Sequence, residues 1–218
     1  TATDLCYSSI TISQSEGLST GSLFPIGTTI NTFIAIDGHG NSSSCNVNIT
    51  VIDNQKPSVS CPQNITVNNT AGLCSAPVSF TATSSDNCGI ASDVLSIPSG
   101  SNFNVGTTPV TYTSTDVNGN SSTCTFNVTV IDIEKPVVTC PQNITVNSTP
   151  GICAAAVTYS ATPTDNCGIA FGGFVIPSGY SFNVGTTTNT YSIMDVNGNS
   201  TTCTFTITVN DVEKPVVN

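Results

Sequence analysis

Apolar residues recur at every second position along several short stretches of the chain. Residues 64–68 read NITVN and residues 125–130 read TFNVTV, so apolar side chains alternate with Asn and Thr. This period of two is typical of strands with one buried and one exposed face. Asn118-Gly119 lies between two such runs and predicts a tight hairpin, because both residues tolerate a positive φ. No segment has the period of an amphipathic helix, so the chain is predicted to be all-β.

The cysteines show that this strand pattern is repeated. Four of them recur 79 residues later (140 − 61 = 79), so that Cys61, Cys74, Cys88 and Cys124 correspond to Cys140, Cys153, Cys167 and Cys203. Cys45 precedes Cys124 by the same interval, and Cys6 corresponds to Cys88 by its sequence context. We predict complete modules at residues 53–131 and 132–210, a partial module at 1–52 that lacks its first strands, and the opening strand of a further module at 211–218.

Each complete module has room for about six or seven short strands separated by turn signals, a pattern that indicates a two-sheet sandwich of the immunoglobulin type. The predicted fold class is therefore all-β, with tandem immunoglobulin-like β-sandwich modules stacked end to end.

Charge narrows the range of partners. The chain has three basic residues against 13 acidic ones, a formal net charge of −10. Such a chain has no basic stripe to neutralise phosphates, so we expect no nucleic-acid partner. Without a basic face or an apolar run of about 18 residues, we also expect no membrane insertion.

The ten cysteines include no C-x-x-C pair and so favour disulfides over zinc. Disulfides predict an oxidising compartment, and hence an extracellular or cell-surface location. No signal peptide is visible, and we expect the chain to be a mature protein or a fragment.

Several motifs recur in a fixed order along the complete modules. In the third module they are KPVVTCPQNITV at 135–146, DNCG at 165–168, SGYSFNVGTT at 178–187 and DVNGNSTTCTFTITVND at 195–211. This set resembles the hyalin-repeat (HYR) family of immunoglobulin-like extracellular modules. Both complete modules match throughout, and the first matches from its Asp4–Cys6 segment onward. The resemblance implies a structural or adhesive role at cell surfaces, without a shared catalytic activity.

We predict no enzymatic activity. His39 could act as a general base, but it lies in the hairpin where the later copies have Asn118 and Asn197. The chain contains no phosphate-binding loop of the G-x-x-x-x-G-K-[ST] type.

Nine N-x-[ST] sequons predict N-glycosylation. The candidates, all expected to face outward from strands or turns, are Asn41, Asn48, Asn64, Asn68, Asn120, Asn127, Asn143, Asn147 and Asn199.

Acidic residues cluster where the third module begins. In a sandwich of this type the incoming linker and two loops meet at one pole, which would bring together Asp132, Glu134, Asp165 and Asp195. Their oxygens would suit a structural Ca²⁺ ion, the one cofactor we consider. The ordinary alternative is that each Asp caps its own loop. The junction before the second module weakens the case for calcium, because Asn54-Gln55 occupies the positions that correspond to Ile133-Glu134.

Sequence alone leaves the disulfide connectivity open. One scheme pairs Cys6–Cys45, Cys88–Cys124 and Cys167–Cys203, because each pair is expected at one pole and the partial module keeps no unpaired cysteine. That scheme also requires Cys61–Cys74 and Cys140–Cys153, which a plain hairpin would hold at opposite ends. The second scheme pairs Cys61–Cys124 and Cys74–Cys88.

These features favour a structural subunit of an extracellular filament or surface stalk, polymerising head to tail with copies of itself or cut from a long tandem array. The partial module would expose an inward apolar row, Ile34, Ile36, Val47 and Ile49, for a neighbour to cover. The alternative is a cell-surface adhesin or accessory module that recognises glycan or protein, which should show irregular, aromatic loops. The two complete modules are nearly interchangeable, which favours the structural role.

Overall fold

The computed structural model describes residues 1–6 and 9–217. These residues form strands, turns and irregular segments, and within them no helix is long and apolar enough to cross a membrane. The chain divides into two compact units. The first contains residues 1–59, 84–93 and 114–122, and the second contains residues 60–83, 94–113 and 123–218.

The first unit contains a three-stranded antiparallel sheet. Its strands are β1 (Ile10–Glu16), β2 (Gly27–Asp37) and β3 (Ser42–Val51), with β2 in the centre. Ile10 of β1 lies opposite Asp37 of β2, and Gly27 of β2 lies opposite Val51 of β3.

One face of this sheet is an open groove of about 620 Å³. Phe33, Ala35 and Val47 line it, and Val47 keeps 46% of its surface exposed. The prediction that Ile34 and Ile36 share this face is wrong. Side chains alternate along a strand, so these two residues point away from the side that Phe33 and Ala35 occupy.

The second repeat contains eight strands: β4 (Ser58–Ser60), β5 (Ile65–Asn68), β6 (Ser75–Pro77), β7 (Thr83–Ser85), β8 (Ile90–Leu95), β9 (Asn102–Asn104), β10 (Gly106–Asp116) and β11 (Ser121–Ile131). They form a four-stranded sheet of order β5-β11-β10-β8 and the two short pairs β4-β7 and β6-β9.

The third repeat has the same eight strands in the same arrangement: β12 (Val137–Thr139), β13 (Ile144–Asn147), β14 (Ala154–Ala156), β15 (Thr162–Thr164), β16 (Ile169–Phe174), β17 (Ser181–Asn183), β18 (Gly185–Asp195) and β19 (Ser200–Asn210). Strand β13 runs parallel to β19, whereas β16, β18 and β19 are antiparallel neighbours.

The core of each complete repeat lies on the face of the four-stranded sheet that the alternating pattern predicts. In β19, Phe205, Ile207 and Val209 are at most 2% exposed. Val157, which directly follows β14, and Phe182 of β17 pack against them. The second repeat buries the residues 79 positions earlier in the same way. The all-β class with tandem immunoglobulin-like sandwiches is thus confirmed.

The Asn-Gly segments form hairpins, but only the glycine of each has a left-handed backbone conformation. Between β18 and β19, Gly198 has a φ of 96° and the N–H of Asp195 donates to the carbonyl of Asn199 at 3.0 Å. Among the described residues a positive φ is confined to glycines, so the expected positive φ at Asn118 is not observed.

Residues 211–217 contain no strand, although a strand is predicted at 211–218. The corresponding strands β4 and β12 each pair with a second strand, β7 and β15, and the described chain offers residues 211–217 no such pairing. Asn218 lies outside the described residues.

Candidate metal centre and repeat junction

Three carboxylates meet where the third repeat begins. Asp132 directly follows β11, Asp165 lies between β15 and β16, and Asp195 ends β18. One oxygen of each carboxylate lies within 4.8 Å of an oxygen of the other two. Asp132 and Asp195 are only 5% and 1% exposed. The structure therefore brings together three of the four predicted metal ligands, while metal binding itself stays a prediction.

Two oxygens of this cluster are buried and without a hydrogen-bond partner in the described chain: Asp132 Oδ2 and Asp165 Oδ2. The other oxygen of each carboxylate is held by its own loop. Asp132 Oδ1 accepts from the N–H of Glu134 at 3.1 Å, and Asp165 Oδ1 accepts from the N–H of Cys167 at 2.8 Å. A buried carboxylate oxygen without a partner is costly, which favours a ligand at these two atoms.

Asp195 is satisfied by the hairpin that it begins. Its Oδ1 accepts from the N–H groups of Asn197 and Asn199, and its Oδ2 accepts from Nδ2 of Asn199, all at 2.8 Å. Burial acts to raise the pKa of Asp195, but the hydrogen bonds from Asn199, Asn197 and Gly198 hold it below its ordinary value. This carboxylate therefore stays ionised within the cluster.

The donor set suits a hard cation. Three carboxylates offer only oxygen, and Ca²⁺ binds oxygen ligands at about 2.3 to 2.6 Å, with the remaining positions open to carbonyls and water. Three like charges this close repel one another, and a cation among them would offset that repulsion.

The junction before the second repeat, in the first unit, differs in chemistry. Asp53, Asp86 and Cys88 form the corresponding cluster, all half-buried. Asp53 Oδ2 accepts from Nδ2 of Asn118 at 2.9 Å, while Asp86 Oδ2 is buried and has no hydrogen-bond partner among the residues that the structure describes. Burial raises the pKa of the Cys88 thiol, and the nearby Asp53 adds to the effect. The thiol therefore stays protonated, and this mixed set is less suited to Ca²⁺.

Glu134, the fourth predicted ligand, does not join the cluster. Its carboxylate accepts from the N–H of Gly72 at 2.8 Å and from Nδ2 of Asn69 at 3.3 Å. It therefore caps the turn after β5, and Glu213 does the same for Gly151 at 2.7 Å. The prediction for Glu134 is wrong because the carboxylate satisfies turn donors that the sequence pattern does not reveal.

The structure corrects the disulfide scheme. Cys61 is bonded to Cys124 and Cys140 to Cys203, each with a Cα–Cα distance of 6.0 Å, as the second scheme has it for Cys61. The pairings Cys61–Cys74, Cys88–Cys124, Cys140–Cys153 and Cys167–Cys203 are wrong. Cys6, Cys45, Cys88 and Cys153 are free thiols, so the Cys6–Cys45 and Cys74–Cys88 pairings are wrong as well. The error came from treating each module as self-contained.

A third disulfide joins the two complete repeats. Cys74 follows the turn after β5, and its partner Cys167 lies 93 residues later, with the two Cα atoms 4.8 Å apart. Beside the bond, Nδ2 of Asn166 donates to the carbonyl of Leu73 at 3.1 Å. Sequence reasoning missed this link, although the repeated G-x-C and D-x-C motifs supply both of its cysteines.

The nine sequons fall into two groups. Asn48, Asn64, Asn68, Asn127, Asn143 and Asn147 are exposed on or beside strands. The other three, Asn41, Asn120 and Asn199, each donate Nδ2 to a hairpin Asp at 2.8 Å, and the last two are half-buried. Because Nδ2 is the atom that carries an N-glycan, only the first group is well placed for modification.

Comparison with known proteins accounts for the repeats. The sequence model of the HYR domain matches residues 1–51, 52–130 and 131–209. The chain belongs to the HYR domain family. This confirms the resemblance inferred from the motifs.

Two relatives of this chain are proteins named hyalin. The chain is 37% identical over 210 residues to hyalin of Strongylocentrotus purpuratus, covering 91% of this chain and 18% of that protein. It is 34% identical over 238 residues to hyalin of Lytechinus variegatus, covering the whole chain and 43% of that protein. The HYR chain thus spans less than half the length of either relative.

Among solved structures, the HYR chain is similar to the cadherin domains EC3–6 of protocadherin gammaB7, with a TM-score of 0.35, 17% identity and coverage of 92% of this chain and 66% of that one. It is also similar to domains EC1–4 of Drosophila N-cadherin, with a TM-score of 0.35, 14% identity and coverage of 86% and 59%.

Proposed function

We propose that this chain is a structural segment of an extracellular filament or surface stalk built from stacked HYR modules. The observation that carries the proposal is the disulfide between Cys74 and Cys167, which covalently joins successive repeats. A chain that bears force benefits from such a bond, because the link between modules then does not depend on weak surface contacts alone. Disulfides persist in oxidising compartments, which supports a place outside the cell or on its surface.

The partners in this proposal are further HYR modules, including copies of the same chain arranged head to tail. The second and third repeats bury the same positions and use the same strand arrangement, as expected for interchangeable spacers. We assign no catalytic step to the chain.

A calcium ion at Asp132, Asp165 and Asp195 is part of the proposal. The buried oxygens without partners, Asp132 Oδ2 and Asp165 Oδ2, support it. The ion would hold together the segment that enters the third repeat and two of the loops of that repeat. Calcium would then stiffen the junction that the disulfide already restrains.

Covalent glycans on the exposed strand positions are also proposed. They would give a chain with few charges a hydrated surface. We expect glycans at the six strand sequons and none at Asn120 or Asn199, whose amides are engaged. Peptide mapping after endoglycosidase treatment in heavy-oxygen water marks each occupied site, and occupancy of Asn120 and Asn199 alone would contradict the expectation.

A second candidate function, adhesion to glycan or protein, is favoured by one feature. Phe171 lies on the edge strand β16 and is 61% exposed, whereas the second repeat has Ser92 at the corresponding position. The variant Phe171→Ser gives the third repeat the residue that the second repeat has at this position. Loss of cell-surface binding in this variant would support the adhesin.

Imaging of the purified protein tests the structural function. We expect negative-stain micrographs to show filaments or long linear arrays in calcium and shorter ones in chelator. Single dispersed particles at every protein and calcium concentration, in a redox buffer that permits disulfide exchange, would overturn the proposed function.

A further inference from the structure

The third repeat has an open cleft of about 310 Å³ beside the exposed free thiol of Cys153. The cleft is formed by the turn after β13 and by the segment that follows β19. Its lining comprises Ser148, Ile152, Cys153, Asp211, Glu213, Lys214 and Pro215.

The second repeat shows what covers the corresponding surface. There the position equivalent to Cys153 is Cys74, which is bonded to Cys167 in the Asp165–Gly168 loop of the third repeat. The carbonyl of Leu73, equivalent to Ile152, accepts from Nδ2 of Asn166 in that same loop. A D-x-C loop of the following repeat therefore occupies this place in the fold.

The cleft at Cys153 shares two backbone hydrogen bonds with the occupied one. The Cys153 carbonyl accepts from the N–H of Val184 at 3.1 Å, as the Cys74 carbonyl does from Val105. The same turn is closed by a backbone hydrogen bond of 2.9 Å in both repeats. The N–H of Ile152 donates to the carbonyl of Thr149 in the third repeat, and the N–H of Leu73 donates to the carbonyl of Thr70 in the second.

One side-chain contact also matches, although Ser148 stands at the position of Asn69 and the Ile152 carbonyl accepts from the N–H of Ala154 at 2.8 Å. Glu213 accepts from the N–H of Gly151 at 2.7 Å, as Glu134 does from Gly72 at 2.8 Å. The receiving surface is therefore already shaped without the loop, and its thiol stands where Cys74 makes its bond.

The loop is preformed as well. In all three repeats the cysteine N–H donates to Oδ1 of the Asp two residues earlier at 2.8 Å: Cys6 to Asp4, Cys88 to Asp86, and Cys167 to Asp165. This shared backbone turn forms whether or not the cysteine is bonded.

We propose that the Cys153 cleft binds the D-x-C loop of another HYR module and that Cys153 forms a disulfide with the cysteine of that loop. The same bond would then recur at successive junctions, linking each G-x-C cysteine to the D-x-C loop of the next module. A linear array would carry a covalent link at each such junction in addition to the peptide chain.

The bond forms by thiol–disulfide exchange with a small disulfide such as oxidised glutathione. The Cys153 thiol loses its proton and attacks one sulfur of the small disulfide, and the other sulfur leaves as a thiolate. The deprotonated loop cysteine then attacks Sγ of Cys153 and displaces the second small thiolate. Two protein thiols are thereby oxidised to one disulfide, and one small disulfide is reduced to two thiols.

The inference rests on the proposed function in one respect, namely that another HYR module is within reach. The test therefore supplies one. We extend the chain after Asn218 with a second copy of residues 140–210, because residues 211–218 already resemble residues 132–139. The extended chain is refolded in a glutathione buffer and mapped under non-reducing conditions.

We expect Cys153 to be linked to the appended copy of Cys167, and the variant Cys153→Ser to leave that appended cysteine as a free thiol. Formation of the Cys61–Cys124 and Cys140–Cys203 bonds shows that the repeats have folded. If those bonds form and Cys153 stays free or pairs with any other cysteine, the inference is wrong.

A second arm identifies the source of the loop. The unextended chain is concentrated in the same buffer, where the D-x-C loops with free thiols are those of Cys6 and Cys88 in a second copy. A crosslink between copies from Cys153 to either cysteine assigns the loop to a second copy, and a monomer with free Cys153 assigns it to a module in the same polypeptide. A mapping result without the Cys153 bond does not decide the proposed function, which the imaging tests. An imaging result without filaments likewise does not decide whether Cys153 forms this bond in the extended chain.

Discussion

Asp132, Asp165 and Asp195 place three like charges within 4.8 Å of one another at the start of the third repeat. Two unit charges about 4 Å apart repel by about 4 kcal/mol at an effective dielectric constant of 20. The cluster is therefore costly without a cation and favourable with one, so the effect of removing one charge should depend on calcium.

We predict that Asp132→Asn leaves the melting temperature in chelator equal to or above that of the original chain. The variant removes repulsion and keeps Oδ1 to accept from Glu134. In calcium at a hundred times the dissociation constant, the original chain should gain about 2.7 kcal/mol and the variant much less. Thermal unfolding with and without calcium measures both.

Glu134→Gln is the matched control, because it removes a neighbouring charge outside the cluster. We expect it to weaken the cap on Gly72 by a similar amount in calcium and in chelator. If Asp132→Asn behaves like this control, the carboxylates have only a structural role.

Asp195 predicts a dependence of stability on pH. Its pKa is lower in the folded chain than in the unfolded chain, so the unfolded state takes up protons first as the pH falls. The stabilisation is present above the ordinary carboxyl pKa of about 4 and is lost as the pH falls through the lower folded value. Denaturation curves between pH 7 and pH 2 should show this loss.

Asp195→Asn should flatten the acid dependence that Asp195 causes. It should also destabilise the chain at pH 7 by about 1 to 3 kcal/mol, because an amide nitrogen would face Nδ2 of Asn199. An unchanged slope between pH 5 and pH 2 would show that other groups control acid unfolding.

Among the elements, the packing of β18 against the preceding segments differs between the two complete repeats. In the third repeat Asn189 is 1% exposed, and its Nδ2 donates to the hydroxyl of Tyr159 at 2.9 Å and to the carbonyl of Ile176 at 2.9 Å. In the second repeat the corresponding positions are Val110 and Phe80. The two repeats thus place a polar pair and an apolar pair at the same sites.

We predict that Asn189→Val alone costs about 1 to 3 kcal/mol of unfolding free energy, because Tyr159 and Ile176 lose a buried partner. The double variant with Tyr159→Phe recreates the pair of the second repeat and should lose less than the sum of the two single variants. Urea denaturation of the four chains measures the coupling. Additive losses would show that the two side chains act independently.

At the scale of the whole molecule, the longest-range covalent link is the disulfide between Cys74 and Cys167. Replacing both with Ser removes a crosslink between residues 93 positions apart. We expect a loss of about 2 to 4 kcal/mol in unfolding free energy, because the unfolded chain becomes less constrained. Denaturation under non-reducing conditions measures this loss.

Cys45→Ser is the control for that variant, because Cys45 is exposed and free. It should change stability by no more than about 0.5 kcal/mol. Equal stability of the two variants would show that the disulfide adds nothing to the folded chain.

The sequence was sufficient for much that depends on local pattern, although it placed Ile34 and Ile36 on the wrong face of β2 and predicted a positive φ at Asn118. The period of two in residues 125–130 predicted which side chains of β11 are buried, since alternation is a property of any strand. The Asn-Gly segments predicted the hairpins, and the 79-residue spacing of cysteines predicted the repeat. The positions of Asp132, Asp165 and Asp195 in a linker, a loop and a strand end were enough to predict that they meet.

Only the tertiary structure decided which groups bond across long separations. Cys74 lies 14 residues from Cys88 and 93 from Cys167, yet its partner is the distant one, because a disulfide needs Cα atoms about 4.4 to 6.8 Å apart in space. Glu134 likewise turns from the carboxylates to the N–H of Gly72, a donor 62 residues away. The local sequence pattern predicts the secondary structure of each segment. Which two segments come into contact depends on how the repeats pack, and the spacing of residues within a segment does not determine that packing.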